Sequence, residues 1–249
     1  MNLTFPLPDY DSEYKCSPGG YISCLLGHRG KGSLLSFLKS KGLAHFVSSS
    51  HKKFQSARFS LMLLSIQMTD HGERHVDTII KYVFQYINML STSLPSEEFH
   101  KELRLLTVQR FETKEREQAV SSAEQYASAL QRYEPCDVLT GDWLISDYKP
   151  DLIMSLVRRL TPDNLRVTIL TKNAKYLETK VEPHYGTEYH VDRIPEETLA
   201  QWRNAGSNPA FSLPLPNPLI CAKPQHPPSS GPTRSFRQPE LFCYLDRIR

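Results

Sequence analysis

The amino-acid sequence predicts an α+β fold, a largely antiparallel sheet with helices packed on one face. Three observations carry that expectation. Phe59–Met68 (FSLMLLSIQM) and residues 165–171 (LRVTILT) are dense in the apolar and β-branched residues that strands use. Between them lie several helical patterns in succession, rather than one helix for each crossover between parallel strands. The helical patterns also show apolar stripes, so they need a layer to cover.

The elements follow in order. Residues 3–5 form a short strand. Ser33 is placed to cap a helix that runs through Leu34, Leu35, Phe37 and Leu38 and stops at Gly42 in the C′ position. The run Phe59–Met68 is too apolar to alternate cleanly and is expected to be buried on both faces. The strongest helix covers about 73–91, where Val76, Ile79, Ile80, Val83, Ile87 and Leu90 recur at three-and-four spacing. Pro95 and Ser96 open the next, with Phe99, Leu103 and Leu106 on its buried face and a solvated TKERE run at 113–117. A further helix with Ala119, Ala123, Tyr126, Ala127 and Leu130 has the small residues that suit close packing, and Pro135 ends it. Thr140 is expected to cap a short helix over 143–146. Pro150 starts another, followed by Leu152, Leu156, Val157 and Leu160, and Pro195 starts a last one over 194–203.

Two domains are expected: a patterned body, 1–206, and a linker or disordered tail, 207–249, which holds nine of the eighteen prolines. The net charge of +3 gives no case for nucleic acid, and no run of 18 apolar residues exists to span a membrane. The first residues lack the basic-then-apolar pattern of a signal peptide. Cys16, Cys24, Cys136, Cys221 and Cys243 are scattered and odd in number, so free thiols in the cytoplasm are expected.

Residues 19–42 (GGYISCLLGHRGKGSLLSFLKSKG) hold six of the eleven glycines. A phosphate loop needs GxxxxGK followed by Ser or Thr, but here Lys31 precedes Gly32, and the GxGxxG spacing fails as well. The stretch reads instead as a tight turn leading into a capped helix. His71-Gly72-Glu73-Arg74-His75 has two histidines but a glutamate in the middle, on the wrong side of a helix for either zinc-peptidase order. It reads as an exposed pair in a helix's first turn. No GxSxG elbow occurs. Lys39, Lys41, Lys52 and Lys53 form a diffuse basic area, and the glutamates at 97–117 show no acid/base pairing.

YISCLLGHRGKGSLLSFLKSKG resembles a signature of the insulinase/pitrilysin family of zinc metallopeptidases, of the insulin-degrading-enzyme and nardilysin type, which reads YISHLxGHEGPGSLLSxLKxKG. NLTFPLPDYDSEY, FQYINML, LTGDWLISDYKPDLI, LRVTILT, HYGTEYHVDRIP with Trp202, and FSLPLPNPLI have counterparts in the same order. LTGD and FQYINML lean toward the nardilysin type. The resemblance covers roughly 2–220 and fades past Ile220, and a truncated, mis-joined or alternatively spliced product is the expected reason for both ends.

The resemblance implies the second, non-catalytic domain of such a peptidase. The family's HxxEH zinc centre lies in a preceding domain and has no counterpart here, so this chain carries no cofactor of its own and should not hydrolyse peptides alone. In the family this domain walls the substrate chamber and anchors a peptide's N-terminus by strand addition to an edge strand. Carried over by position, Gly27, His28, Gly30 and Gly32 form the loop beside that exosite, and Phe46, Val47, Ser48 and Ser49 the edge strand. Cys24 stands where the family has His, Arg29 where it has Glu, and Lys31 where it has Pro, which turns an acidic loop basic and weakens it for an amine. The implied partners are a peptide substrate and the missing catalytic domain. The alternative reading is a non-enzymatic peptide-binding or dimerisation module, as a homodimer or heterodimer.

Overall fold

A computed structural model describes residues 1–54, 58–93, 96–115, 117–171, 179–218 and 220. Four strands form an antiparallel sheet in the order β2 (Ala44–Phe54), β3 (Phe59–Met68), β1 (Asn2–Pro8), β4 (Arg166–Thr168). The helices are α1 (Pro18–Leu26), α2 (Leu34–Ser40), α3 (Asp70–Glu73), α4 (Val76–Thr92), α5 (Glu97–Glu112), α6 (Ala119–Leu130), α7 (Pro150–Val157) and α8 (Glu196–Arg203). A two-stranded hairpin, β5 (Lys180–Val181) with β6 (Glu188–Tyr189), lies apart from the main sheet. The predicted class, a mainly antiparallel sheet with helices on one face, is the one observed.

Strand register sets which face is buried. Leu3, Phe5 and Leu7 of β1 lie opposite Leu64, Met62 and Ser60 of β3, and Val47 of β2 lies opposite Ile66. All of these side chains are buried. Helices α1, α2, α4 and α7 add Ile22, Leu26, Leu34, Leu38, Ile80 and Leu156 to the same core. Phe84 of α4 meets the Phe5 ring edge-on at 6.3 Å and faces Trp202 of α8 at 6.2 Å, which ties sheet, long helix and last helix together. Dispersion over such contacts, with the apolar area removed from water, is the main stabilising term.

β3 departs from its expected burial on both faces. It alternates: Ser60, Met62, Leu64 and Ile66 are buried, while Leu61, Leu63 and Ser65 are half-buried on the opposite face. Helices α1, α2, α4 and α7 pack on the first face, while Phe54 and Phe59, stacked on each other 5.1 Å apart, are exposed.

Several helices differ from expectation for local reasons. The glycine-rich stretch holds α1, with Pro18 at its N-terminus and Gly19 and Gly20 inside it. A helical glycine is unfavourable by about 1 kcal/mol against alanine. Here, though, a Cβ on Gly19 would lie 2.3 Å from the His51 ring, so the missing side chain is what lets α1 pack onto β2. The predicted 73–91 helix begins instead at Val76, because a separate turn, α3, capped by the Thr69 side chain, precedes it. Ser96 caps α5 by accepting from the Phe99 N–H. α6 forms, but Ala123, Tyr126, Ala127 and Leu130 face solvent and Ala129 is the buried residue. No helix forms over 143–146: the N–H groups of Ser146 and Asp147 both donate to the Lys15 carbonyl, which draws this segment into turns. β4 stops at Thr168, leaving Ile169 and Leu170 exposed.

The proline-rich stretch begins inside the fold. Phe211 is buried between Phe37 and Tyr86, with ring centroids at 4.9 and 5.3 Å. The Ser212 N–H donates to the Gly32 carbonyl, and Asn208 donates to the Gln85 side chain. Residues 221–249, the rest of the expected tail, lie outside the described residues, and Cys221 and Cys243 with them.

Candidate peptide-binding edge

The loop and the strand singled out in the sequence meet. α1 ends at Gly27, whose missing side chain lies over β2: a Cβ there would be 3.4 Å from the Ser49 nitrogen. His28 continues the turn, donating its N–H to the Leu25 carbonyl, and its Nδ1 accepts from the Gly30 N–H at 3.2 Å. A side chain at Gly30 would collide with the His28 ring, since its Cβ would sit 2.5 Å from Cε1. Burial pushes the His28 pKa down against the attraction of Glu102, so the ring is neutral at pH 7, as an accepting Nδ1 requires. Gly32 has φ +79° and sits against Ser212, in the left-handed region that favours glycine. Ser33 then caps α2, accepting from the Ser36 N–H at 3.2 Å, and Gly42, φ +66°, closes that helix as predicted.

β2 occupies one edge of the sheet. It is eleven residues long and pairs with β3 from Ala44 to Phe54, with an irregularity at His45. Phe46 is half-buried, Val47 is buried in the core, and Ser48 and Ser49 are half-buried; the Ser49 hydroxyl turns inward to the Met62 sulfur at 3.6 Å. The Arg29 guanidinium lies over the Phe46 ring, 4.7 Å from its centroid. Gly27 therefore adjoins Ser49 and Arg29 adjoins Phe46, so the loop lies along the strand over residues 46–49. Among the described residues, no backbone group of 44–54 has a hydrogen bond outside the ladder with β3. An edge of this kind can accept another strand.

The packing of His51 was not foreseen. Its ring lies against Gly19, and among the described residues its buried Nε2 has no hydrogen-bond partner. Burial first, and Lys53 second, lower its pKa to about 4, with Asp11 opposing. In the sequence its sole trace is a histidine in a polar strand end, SSSHKK, which reads as solvated.

Neither metal-like cluster fits a zinc centre. His71 and His75 are exposed, with rings 4.4 Å apart, and His75 Nδ1 bonds the His71 carbonyl, as suits a pair in a helix's first turns. Among the described residues, Glu134, Cys136 and Asp137 bring three ligand atoms together. Asp137 there is buried and already held by the Tyr14 hydroxyl (2.6 Å) and the Lys15 ammonium (2.9 Å), an arrangement that serves structure. Cys16, Cys24 and Cys136 are free thiols. Among the described residues, no helix is long and apolar enough to cross a membrane.

Comparison with known proteins agrees with this architecture. A family model described as the peptidase M16 inactive domain matches residues 1–106, and one described as the middle or third domain of peptidase M16 matches 111–241. The second match continues past Ile220, where the resemblance was expected to fade. One hydrophobic core spans both matched regions, joining Phe5 and Phe84 to Trp202.

The chain is 37% identical over 208 residues to insulin-degrading enzyme of Bos taurus, covering 83% of this chain and 20% of that protein. It is 33% identical over 225 residues to nardilysin of Homo sapiens (88% and 20%) and 32% identical over 222 residues to the A-factor-processing enzyme of Saccharomyces cerevisiae (88% and 21%). The crystal structure of pitrilysin shares the fold with a TM-score of 0.80 at 21% identity, over 87% of this chain and 23% of that one. The chain thus spans about a fifth of the length of the curated relatives it matches. Two family models match, the second of them over more than half of the residues, and this chain belongs to the peptidase M16 family.

Proposed function

We propose that this chain is the non-catalytic wall of an insulinase-type peptidase and holds an extended peptide by strand addition to the outer edge of β2. The supporting observation is the free edge itself: an eleven-residue strand, bordered by the loop of Gly27, His28, Gly30 and Gly32, whose outer backbone groups have no bond among the described residues. Main-chain bonds to such an edge supply affinity, and pockets for alternate side chains supply preference. Catalysis then belongs to the zinc-bearing partner domain. The Phe54–Phe59 pair and the exposed Val120, Tyr126 and Leu130 of α6 supply apolar surface for that partner. Free Cys24 and Cys136 suit a reducing, cytoplasmic setting.

The purified chain is therefore expected to bind extended peptides without cleaving them and without stoichiometric zinc. A fluorogenic-peptide assay run beside elemental analysis checks this. Stoichiometric zinc with chelator-sensitive cleavage would overturn the reading. Peptide binding together with a stable dimer in sedimentation would favour the alternative, a binding or dimerisation module.

A further inference from the structure

The loop and strand of the candidate edge fall in a segment of one charge sign. From Tyr14 to Thr69 the sequence has no Asp or Glu, and it carries Lys15, Arg29, Lys31, Lys39, Lys41, Lys52, Lys53 and Arg58. The rest of the chain holds 22 basic and 27 acidic side chains, so the overall +3 conceals a basic module set in an acidic body. Lys15 is neutralised by Asp137 and Lys53 is paired with Asp11. Among the described residues, Arg29, Lys31, Lys39, Lys41, Lys52 and Arg58 form no salt bridge. The acidic group facing the loop from a neighbouring helix is Glu102, which acts on His28 and accepts the Asn217 N–H.

Placement gives this charge a direction. Arg29 is fixed over Phe46 at one end of β2, with Lys31 two residues further along the loop. Lys52 is exposed at the other end of the same strand. Phe46 and Lys52 are six strand rises apart, a span of about 20 Å. A peptide laid along this edge would pass between cations at both ends, and its alternate side chains would share one face. Like charges directly opposed across a strand pair are unfavourable. The edge therefore selects against basic peptides. It also selects against a second copy of itself, because antiparallel pairing of two β2 strands would set these basic side chains against one another.

Resting on the strand-addition reading above, we propose that the edge of β2 prefers extended peptides rich in Asp and Glu, held by main-chain bonds along residues 46–52 and by Arg29, Lys31 and Lys52 at the two ends. A free backbone edge favours a peptide over a nucleic acid, because a phosphate backbone would leave the outward N–H and C=O groups without strand partners.

The test uses the whole chain and capped heptapeptides, acetylated and amidated so that no terminal amine contributes, with Glu, Gln or Lys at alternate positions on a common sequence. Fluorescence anisotropy at 50 mM salt is expected to show the Glu peptide binding about tenfold tighter than the Gln peptide, with the Lys peptide weakest. Raising salt to 500 mM on the same unmodified protein should bring the Glu and Gln affinities together. R29E/K31E, at exposed loop positions, should reverse the order of the Glu and Lys peptides. If Glu and Gln peptides bind equally at low salt, and N-methylation of the backbone abolishes both, strand addition stands and the charge preference is overturned. If no peptide binds, the strand-addition reading falls and takes this one with it. If a single-stranded oligonucleotide or an anionic phosphatidylserine vesicle binds where the peptides do not, the basic module serves another ligand and the proposal is overturned.

Discussion

Replacing Gly72 by alanine is expected to destabilise the fold by roughly 3 kcal/mol, because the added methyl group meets main chain that cannot give way. Gly72 is buried in α3, and a Cβ there would stand 2.0 Å from the Leu43 carbonyl oxygen and 3.0 Å from its carbon. The same carbonyl accepts the Thr69 N–H at 3.1 Å. The Thr69 hydroxyl accepts from the Gly72 N–H and donates to the Gly42 carbonyl at 2.6 Å. Gly72 therefore seats a knot joining the end of α2, the start of β2 and the exit from β3. To relieve the clash, α3 must unwind or the start of β2 must move away from β3, and either opens the core at Leu43 and Ala44, both buried. In urea the midpoint should fall with little change in slope. An unfolding free energy within about 0.5 kcal/mol of the parent would show that the knot is loose.

Stability should also fall as pH drops from about 6.5 to 4, before carboxylate titration dominates. His51 has its folded pKa lowered from 6.5 to about 4, chiefly by burial. In that interval the unfolded chain binds a proton that the folded chain refuses, so stability rises with pH across it. The contribution is complete above the unfolded value and has been lost once pH passes below the folded one. The full shift corresponds to about 3 kcal/mol; solvent reaches part of the ring, so a loss on the order of 2 kcal/mol is expected. Burial lowers His28 and His100 in the same direction. Below about pH 4, Asp142 adds a second loss: burial raises its pKa, but its bonds from Arg132 and Tyr133 outweigh that and lower it overall. His51→Leu removes the first titration while keeping an apolar group against Gly19. Urea midpoints from pH 7 to 4 should fall less steeply in this variant than in the parent, and identical slopes would remove His51 from the account.

Elements that carry their own periodicity were legible in the sequence. The stripe from Ile79 to Leu90 gave α4, the Ser33 cap and the Gly42 terminus framed α2, and the density of apolar residues gave β3. Features decided by tertiary contact were not. α1 contains two glycines and is helical because Gly19 admits the His51 ring. The chain over 143–146 is drawn out of a helix by the Lys15 carbonyl, 131 residues from Ser146 in sequence. Ala123, Ala127 and Leu130 have the spacing of a packed face on a helix that meets solvent here. The edge strand is a middle case. Composition says little of AHFVSSSHKKF, because serines and lysines blur its alternation, and the family resemblance alone pointed to Phe46, Val47, Ser48 and Ser49. The contact between Arg29 and Phe46 lies where the loop departs from the family wording.

Strand addition at β2 is tested most directly by amide hydrogen exchange of the chain with and without the capped Glu heptapeptide. Slowed exchange at outward-facing amides within 46–52, with β1 and β4 unchanged, is the pattern that pairing along this edge produces. Saturating peptide that leaves the β2 amides at their free rates, with protection appearing elsewhere, would contradict it.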